Sequence, residues 1–246
     1  MAKDSIIRAR DLAIGYGDHV LMERMDFDVA PGDVFLILGG SGTGKATLLR
    51  TLIGLQASLG GRFEIEGREA PDGPPPYGVL FQSGALFGSM TLGQNVALPL
   101  ETWTDLDART IQELVCAKLR IVGLDGYENH MPAELSGGMK KRAGIARAMA
   151  LEPRLLFLDA PSAGLDPISM AELDDLILTL SASLGVTFVV VTHELASIEK
   201  IGSTCVLLDR DARTIVARGD PRELKETSDD PRVRSYFHRG AEAPAR

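Results

Sequence analysis

The sequence is poor in cysteine, carries fewer basic than acidic residues, and has no long apolar run. Cys116 and Cys205 are the two cysteines among 246 residues, and without a C-x-x-C pair we expect neither a disulfide framework nor a cysteine metal site. Lys and Arg total 26 against 34 Asp and Glu, and the charge of −8 argues against a nucleic-acid partner, because binding a phosphate backbone needs neutralising cations. No run approaches the roughly 20 apolar residues that span a bilayer, and the first residues lack a signal-peptide core. These absences predict a chain in a reduced, cytosolic compartment that does not itself form a membrane channel.

What remains is ordinary globular composition, with 45% hydrophobic and 24% charged residues, and enough length for one α/β domain with a subdomain. Val34–Leu38, Leu155–Leu158 and Thr187–Val191 are continuous apolar runs, typical of strands buried on both faces. A helical pattern over Ile168–Leu184 separates the last two runs, which predicts a parallel sheet with crossover helices.

The remaining segments complete the predicted organisation. Two segments near the start mix apolar and polar residues, which favours half-buried antiparallel strands. Further along the chain we predict a proline-rich loop, then a helical subdomain, and finally a closing hairpin. The ranges are Ile6–Ile14 and Met25–Val29 for the strands, Pro71–Pro76 for the loop, about 83–150 for the helical subdomain, and Thr204–Asp209 with Arg213–Gly219 for the hairpin. Within the helical part, Thr104 is predicted to cap a helix over Asp105–Val122. We expect a single domain over 1–240, with a C-terminal extension over 228–246 that leaves the domain.

A glycine-rich loop follows the first apolar run and precedes a helical pattern over Lys45–Ile53. This context is typical of a phosphate-binding loop, in which backbone N–H groups point at phosphate oxygens and a lysine neutralises the β- and γ-phosphates. The pattern requires Ser or Thr after the lysine to hold Mg²⁺, but here that residue is Ala46, and Thr47 comes one position too late. The residues predicted to bind a nucleotide are Gly39, Gly40, Ser41, Gly42, Thr43, Gly44, Lys45, Ala46 and Thr47.

Two later features extend the nucleotide hypothesis. The run Leu155–Leu158 ends in Asp159, where the second half of a P-loop ATPase places the carboxylate that steadies the Mg²⁺ shell. Before it, the sequence LSGGM at 135–139 opens a helix that contains Lys140, Lys141, Arg142 and Arg147. On its own, that stretch is also compatible with a capped helix that has a solvated basic face.

Taken in order, the P-loop, LSGGM at 135–139, FLDAPSAGLDP at 157–167 and VVVTH at 189–193 resemble the ATP-binding-cassette (ABC) ATPases over nearly the whole chain. The resemblance implies an α/β P-loop NTPase fold with a parallel core sheet, an antiparallel β subdomain and a helical subdomain, and it implies ATP with Mg²⁺ as ligands. It assigns adenine stacking to Tyr16, contact with Mg²⁺ and the attacking water to Gln82, and γ-phosphate contact to His193. The resemblance also implies that the signature residues close on the ATP held by the opposite subunit; these are Ser136, Gly137 and Gly138. It implies that Asp166, in the loop after the run Leu155–Leu158, contacts the other subunit of the dimer.

The sequence departs from the family where hydrolysis occurs. The family has Glu after the strand-ending Asp, to polarise the attacking water, and here the residue is Ala160. A general base contributes typically about 10²–10⁴-fold in rate, and alanine cannot accept a proton. Because Ala46 also removes a Mg²⁺ ligand, we expect ATP binding to survive better than turnover. Three accounts remain open: a degenerate subunit, a variant substituted to trap ATP, or a subunit whose partner in a heterodimer restores activity.

Two segments resemble a narrower group, the Mla/Mce-type lipid-transport ATPases. They are VLFQSGALF at 79–87 and SDDPRVRSYF at 228–237. That resemblance implies a second ATPase subunit, two transmembrane permease subunits, an Mce-domain protein, a STAS-domain regulator, and a peripheral position at the cytoplasmic face of the inner membrane. The alternatives are the ATPase of a polar-solute importer, such as an amino-acid uptake system, and a binding-only regulator. Cassette proteins of translation or chromosome maintenance do not fit, because the chain has one cassette and no coiled coil between Gln82 and Ser136.

Overall fold

The computed structural model describes residues 5–67 and 75–238, which fall into two compact units. Unit 1 contains the described residues up to 67 and those from 187 onward, and unit 2 contains residues 75–186. The predicted proline-rich loop before Pro75 and the end of the predicted C-terminal extension, 239–246, lie outside the described residues.

The secondary structure alternates as the sequence predicts. The strands are β1 (Ile7–Tyr16), β2 (His19–Val29), β3 (Val34–Gly39), β4 (Gly60–Ile65), β5 (Tyr77–Leu80), β6 (Leu155–Asp159), β7 (Thr187–Val191), β8 (Thr204–Asp209) and β9 (Thr214–Gly219). The helices are α1 (Lys45–Leu52), α2 (Leu92–Trp103), α3 (Ala108–Ile121), α4 (Gly137–Ala148), α5 (Pro167–Leu184), α6 (Leu195–Ile201), α7 (Pro221–Thr227) and α8 (Pro231–His238). Across residues 5–67 and 75–238, no helix has both the length and the apolar character that crossing a bilayer requires.

Unit 1 contains two groups of strands. β1 pairs antiparallel with β2 on one side and with β4 on the other, which confirms the predicted antiparallel strands. In the second group, β3 lies between β7 and β8 and is parallel to both, while β9 closes the edge antiparallel to β8. Every residue of β3 is buried, which is why its sequence is an unbroken apolar run. Since parallel strands end at the same edge, the glycine loop after β3 and His193 after β7 emerge on the same side of this sheet.

Unit 2 also contains parallel strands, but fewer of them than unit 1. β5 and β6 are parallel, with Tyr77 opposite Leu155 and Leu80 opposite Leu158. The segment that contains Gln82 therefore leaves β5 at the same edge at which Asp159 ends β6. Helices α2, α3, α4 and α5 make up the rest of the unit, and α4 packs on β5, α2, α3 and α5.

The predicted cap of the helix after residue 104 is wrong. Thr104 ends α2, and its backbone N–H donates to the Leu100 carbonyl. The N-cap of α3 is Asp107, whose side chain accepts from the Thr110 backbone N–H at 2.9 Å. The segment 104–107 contains three residues that cap helices well, and the sequence pattern placed the start at the first of them instead of the last.

The expectation that the tail after Ser228 leaves the domain is also wrong for the residues that the structure describes. They form α8, which packs on α7 and β9 in unit 1. Val233 and Phe237 are 0% and 2% exposed. Asp230 starts the helix by accepting from the Arg232 backbone N–H at 2.8 Å, and the i, i+4 apolar pair supplies the buried stripe.

The revised cap of α3 can be tested by substitution. We expect Asp107→Ala to lower the melting temperature by about 2–4 °C at pH 7, since it removes the N-cap. Thr104→Ala leaves that cap in place and should lower the melting temperature less than Asp107→Ala does. The hydrogen bond from the Thr110 backbone N–H lowers the pKa of Asp107 in the folded chain. The cap therefore stabilises the folded chain fully at pH values above the ordinary pKa of a carboxyl group. This stabilisation is lost as the pH falls through the lower pKa that Asp107 has in the folded chain.

The measurement is thermal unfolding of the parent and both variants from pH 7 into acid. The gap between the parent and Asp107→Ala should narrow as the pH falls. A larger loss with Thr104→Ala than with Asp107→Ala at pH 7 would contradict the cap assignment.

Candidate functional site

The glycine loop of unit 1 makes a tight turn from β3 into α1. It runs from the end of β3 to Gly44, which is the N-cap residue of α1 and makes no side-chain cap hydrogen bond. Gly39 has φ of 149°, and a Cβ there would lie 2.6 Å from Thr43 Oγ1 and 2.7 Å from the Leu208 carbonyl oxygen. Only glycine fits at that position. The loop closes through Thr43, whose hydroxyl donates to the Gly40 carbonyl at 3.0 Å.

Lys45 places its charge on this loop. It is the first residue of α1, and its ammonium donates to the carbonyl oxygens of Gly39 at 2.8 Å and Gly40 at 2.7 Å. The cation and the N-terminus of α1 thus favour a negative charge at the same place. The donor set fits a polyphosphate.

Tyr16 and Thr47 are joined directly within unit 1. The Tyr16 hydroxyl lies 2.9 Å from Thr47 Oγ1, while the Tyr16 ring is 52% exposed. Thr47 is buried, so this hydrogen bond ties the partly exposed Tyr16 side chain to α1.

A cleft of about 910 Å³ opens beside the glycine loop, entirely within unit 1. Its lining includes Ser41, Lys45 and His193, which the sequence predicted, and Arg232 and Tyr236 of α8, which it did not. Burial raises the pKa of Tyr236 to about 12. The apolar pair Val233 and Phe237 is the sequence signal that would have placed this helix on the domain.

Unit 2 brings together the residues predicted for hydrolysis. Asp159 ends β6, Ala160 follows with φ of 44°, and Gln82 is an exposed residue just after β5. Among the described residues, no three His, Cys, Asp or Glu side chains are grouped so as to hold a metal ion. Mg²⁺ commonly uses one or two carboxylates together with nucleotide phosphates, so Asp159 with Gln82 fits a magnesium ion that arrives with ATP. Ala160 supplies no acceptor.

The basic residues of α4 are not all solvated, so the alternative of a capped helix with a solvated basic face does not hold for Lys141 and Arg147. Lys141 is 5% exposed, and its ammonium donates to the carbonyl oxygens of Gln82 and Ala160, the latter at 3.4 Å. Burial lowers its pKa, and the charge of Asp159 partly opposes this change. Arg147 donates to the Ala85 carbonyl at 2.7 Å, and burial lowers its pKa as well. Sequence reasoning missed the role of Lys141, because burial of one lysine in a basic run leaves no local signal.

The signature residues form the start of α4. Ser136 is its exposed N-cap and accepts from the Met139 backbone N–H at 3.2 Å. Gly137 packs close to Leu165 and Gly138 close to Ser169, which brings this helix start beside the start of α5.

Asp166 is exposed and caps α5. Its carboxylate accepts from the backbone N–H groups of Ile168 at 3.1 Å and Ser169 at 3.0 Å. Hydrogen bonds from Ser169 lower its pKa. The signature and the Asp166 loop are therefore neighbours on the surface of unit 2.

Comparison with known proteins identifies the family. The family described as "ABC transporter" matches residues 22–163. The chain is 39% identical over 240 residues to "Probable ribonucleotide transport ATP-binding protein mkl" of Mycobacterium leprae (strain TN), covering 94% of this chain and 68% of that protein. It is 39% identical over 249 residues to "Intermembrane phospholipid transport system ATP-binding protein MlaF" of Escherichia coli (strain K12), covering 98% of this chain and 91% of that protein. The chain belongs to the ABC transporter ATP-binding family, and its sequence is similar to the Mla type.

Solved structures agree on the fold. The structure of cbiO1 from Clostridium perfringens, described as part of the ABC transporter complex cbiONQ, aligns with a TM-score of 0.81, 26% identity and 90% coverage of both chains. A dimeric ATP-binding cassette bound to ADP and Pi aligns with a TM-score of 0.75 and 24% identity, covering 87% of this chain and 98% of that chain. The predicted α/β P-loop fold, with parallel strands, an antiparallel sheet and helices, is confirmed.

The packing of α8 beside the cleft can be tested by unfolding. Phe237→Ala should lower the free energy of unfolding by about 3–5 kcal/mol, since it empties a buried aromatic site. His238→Ala, at the exposed end of the same helix, is the matched control and should change it little. Urea titration of both variants gives the measurement, and equal stability of the two would contradict the packing of α8.

Proposed function

We propose that the chain is the ATP-binding subunit of an ABC transporter, and that it binds Mg²⁺-ATP but hydrolyses it slowly. One observation carries the proposal: a glycine loop with its lysine in place occurs in the same chain as alanine at positions 46 and 160. The glycine loop is proposed to bind the phosphates of ATP, whereas the two alanines stand where the family has groups that act in hydrolysis.

Binding rests on groups in unit 1. The exposed Tyr16 ring, held by Thr47, offers an aromatic face to adenine. Lys45 and the start of α1 offer positive charge to the β- and γ-phosphates. His193 lines the cleft beside the glycine loop together with Lys45, and it is proposed to contact the γ-phosphate. None of these groups depends on residues 46 or 160.

Turnover rests on the groups at the ends of β5 and β6. When bound with ATP, Mg²⁺ stabilises the charge that develops on the transferred phosphoryl group, and Asp159 and Gln82 are the residues proposed to hold it. Ala160 has only a methyl group where the family uses a carboxylate, so no side chain there accepts the proton of the attacking water. Ala46 supplies no hydroxyl to the metal.

A head-to-tail dimer is proposed as the functional unit. The exposed signature at Ser136 and the neighbouring Asp166 loop form a surface that suits the phosphate side of a second ATPase subunit. The N-terminus of α4 carries the positive end of a helix dipole, which suits a γ-phosphate. In a homodimer both sites would have alanine at 160. In a heterodimer this chain's signature would complete a site whose other residues come from the partner.

The nucleotide proposal predicts a separation of binding from turnover. We expect the purified chain to bind ATP and to release phosphate very slowly. The double variant Ala46→Ser, Ala160→Glu should hydrolyse ATP faster by about 10²-fold or more, because it regains a metal ligand and a general base. Binding is followed with a fluorescent ATP analogue, and turnover by phosphate release.

Lys45→Ala is the control for this experiment, and it should lose ATP binding in either background. If the double variant binds ATP but gains no turnover, the catalytic assignment of positions 46 and 160 is wrong. If the parent binds no ATP, the nucleotide assignment itself fails.

We infer further that the transported substrate is a phospholipid or a related lipid. The segments 79–87 and 228–237 resemble the Mla/Mce-type group, and the MlaF proteins of Escherichia coli and Haemophilus influenzae align over 91% and 94% of their own length. The proposed partners are transmembrane permease subunits, a second ATPase subunit, an Mce-domain protein and a STAS-domain protein. This assembly would hold the chain peripherally at the cytoplasmic face of the inner membrane.

A second candidate is transport of a polar solute. The mycobacterial mkl relatives are named for ribonucleotide transport, and they are as similar in sequence as MlaF. The chain spans only about two thirds of their length, however, whereas it spans nearly all of the MlaF proteins. A binding-only regulatory subunit is the remaining alternative, and the comparison of ATP binding with turnover described above separates it from a subunit that hydrolyses ATP by itself.

The lipid proposal predicts what accompanies the chain in its native membrane. An affinity-tagged chain, purified in mild detergent from its own organism, should retain a permease and an Mce-domain protein, with phospholipid in the complex. Mass spectrometry of proteins and lipids is the measurement, and an unrelated tagged protein from the same membranes is the control. Recovery of a permease with a periplasmic amino-acid or nucleotide receptor, and no Mce-domain protein, would overturn the lipid assignment.

A further inference from the structure

Residues 82–87, here called the Gln82 loop, lie along α4 in unit 2. We propose that Lys141 is a positioning residue that fixes the Gln82 loop to the end of β6. The proposal rests on the function above, because it gives the Gln82 loop a part in handling ATP, and it names a residue outside the motifs that bind nucleotide.

The hydrogen bonds of Lys141 join three functional segments. Its ammonium is nearly fully buried and donates to the backbone carbonyls of Gln82 and Ala160. Gln82 begins the loop after β5, Ala160 follows the Asp159 that ends β6, and Lys141 itself belongs to α4. One side chain therefore holds together two chain segments that have no backbone hydrogen bond to α4.

Two further residues of α4 continue the contact at i, i+3 spacing. Gly144 lets the helix approach so closely that a Cβ there would lie 2.5 Å from Leu80 Cδ1 and 3.1 Å from the Gly84 carbonyl oxygen. Arg147 donates to the carbonyls of Ala85 at 2.7 Å and Gly84 at 3.3 Å. The loop thus rests on a strip of α4, with Lys141 at the end nearest Gln82.

The other end of the loop is fixed from α2. Asn95 is fully buried, accepts from the Phe87 backbone N–H at 2.8 Å and donates to the Phe87 carbonyl at 3.1 Å. With Asn95 holding residue 87 and Lys141 holding residue 82, the loop is fastened at both ends. The side chain of Gln82 then extends from a backbone whose position is set by Lys141.

The cost of burying a lysine supports a specific role. A buried ammonium is expensive unless it is hydrogen-bonded, and an apolar residue of similar length would avoid that cost. The second buried lysine of the unit, Lys118, forms an ion pair with Glu152 at 2.9 Å, and neither residue belongs to the predicted site. Lys118 is therefore a matched control: a buried, bonded lysine of the same unit without contact to the Gln82 loop.

The position of Lys141 also gives the proposal a functional consequence. α4 begins at the signature, which is proposed to close on the ATP of the opposite subunit, while Lys141 on the same helix holds the loop that serves this chain's own ATP. Loss of Lys141 should leave the adenine and phosphate-loop contacts of unit 1 unchanged, and it should disturb the step in which Gln82 acts.

The first test uses hydrogen exchange by mass spectrometry on the chain as it exists. The reporters are two backbone hydrogen bonds, from the Gly84 N–H to the Phe81 carbonyl and from the Ala163 N–H to the Ala160 carbonyl. In Lys141→Met, peptides that contain these amides should exchange about tenfold faster or more, because their segments lose a shared anchor. Lys141→Arg should retain slow exchange, and Lys118→Met should leave both peptides unchanged. Unchanged exchange in Lys141→Met, or the same acceleration in Lys118→Met, would overturn the proposal.

The second test measures turnover in the Ala46→Ser, Ala160→Glu background. Lys141→Met should lower kcat by about tenfold or more with KM for ATP within about twofold, Lys141→Arg should restore most of kcat, and Lys118→Met should leave kcat unchanged. An unchanged kcat in Lys141→Met overturns the proposal. Absence of ATP binding in the parent would instead overturn the proposed function, and the exchange experiment would still decide the role of Lys141.

Discussion

The site depends on the turn that the chain makes between β3 and α1. In that turn, the ammonium of Lys45 donates to the carbonyl oxygens of Gly39 and Gly40, and Gly39 is held so tightly against Thr43 and Leu208 that a side chain would not fit. The start of the turn is fixed because β3 is buried between two parallel partners, and its end is fixed by the first turn of α1. Tyr16, Thr47 and His193 owe their positions to elements packed around the same strand and helix.

The chemistry of the chain separates along its architecture. The groups proposed to bind adenine and phosphate lie in unit 1, and the carboxylate and amide proposed to assist hydrolysis follow β6 and β5 in unit 2. Ala160 therefore affects a group of residues distinct from the phosphate cradle. Under the proposed function, this separation lets a chain with alanine at position 160 present an ordered loop and lysine for ATP, and it makes subunit pairing decisive for turnover.

The sequence was sufficient to predict an element wherever a single physical requirement determines the residue type. The continuous apolar runs of β3 and β7 required burial on both faces, and the glycines before Lys45 required a tight turn into a helix, so these elements were predicted correctly. The start of α3 was misplaced because Thr104 and Asp107 are both good caps and only packing chooses between them. The packing of α8 on unit 1 could not be predicted, because it depends on an apolar surface elsewhere in the fold that contacts its short apolar stripe. Lys141 looked like any surface lysine, since its carbonyl partners come from segments that are distant in sequence.

The most direct test of the account is the identity of the nucleotide that the chain retains. The purified chain is incubated with Mg²⁺ and ATP, passed rapidly through a desalting column, denatured, and its bound nucleotide separated by chromatography. The account predicts that the nucleotide recovered is ATP, since the glycine loop and Lys45 are in place and position 160 has no general base. Recovery of ADP would contradict the claim that hydrolysis is impaired, and recovery of no nucleotide would contradict the claim that the loop binds ATP.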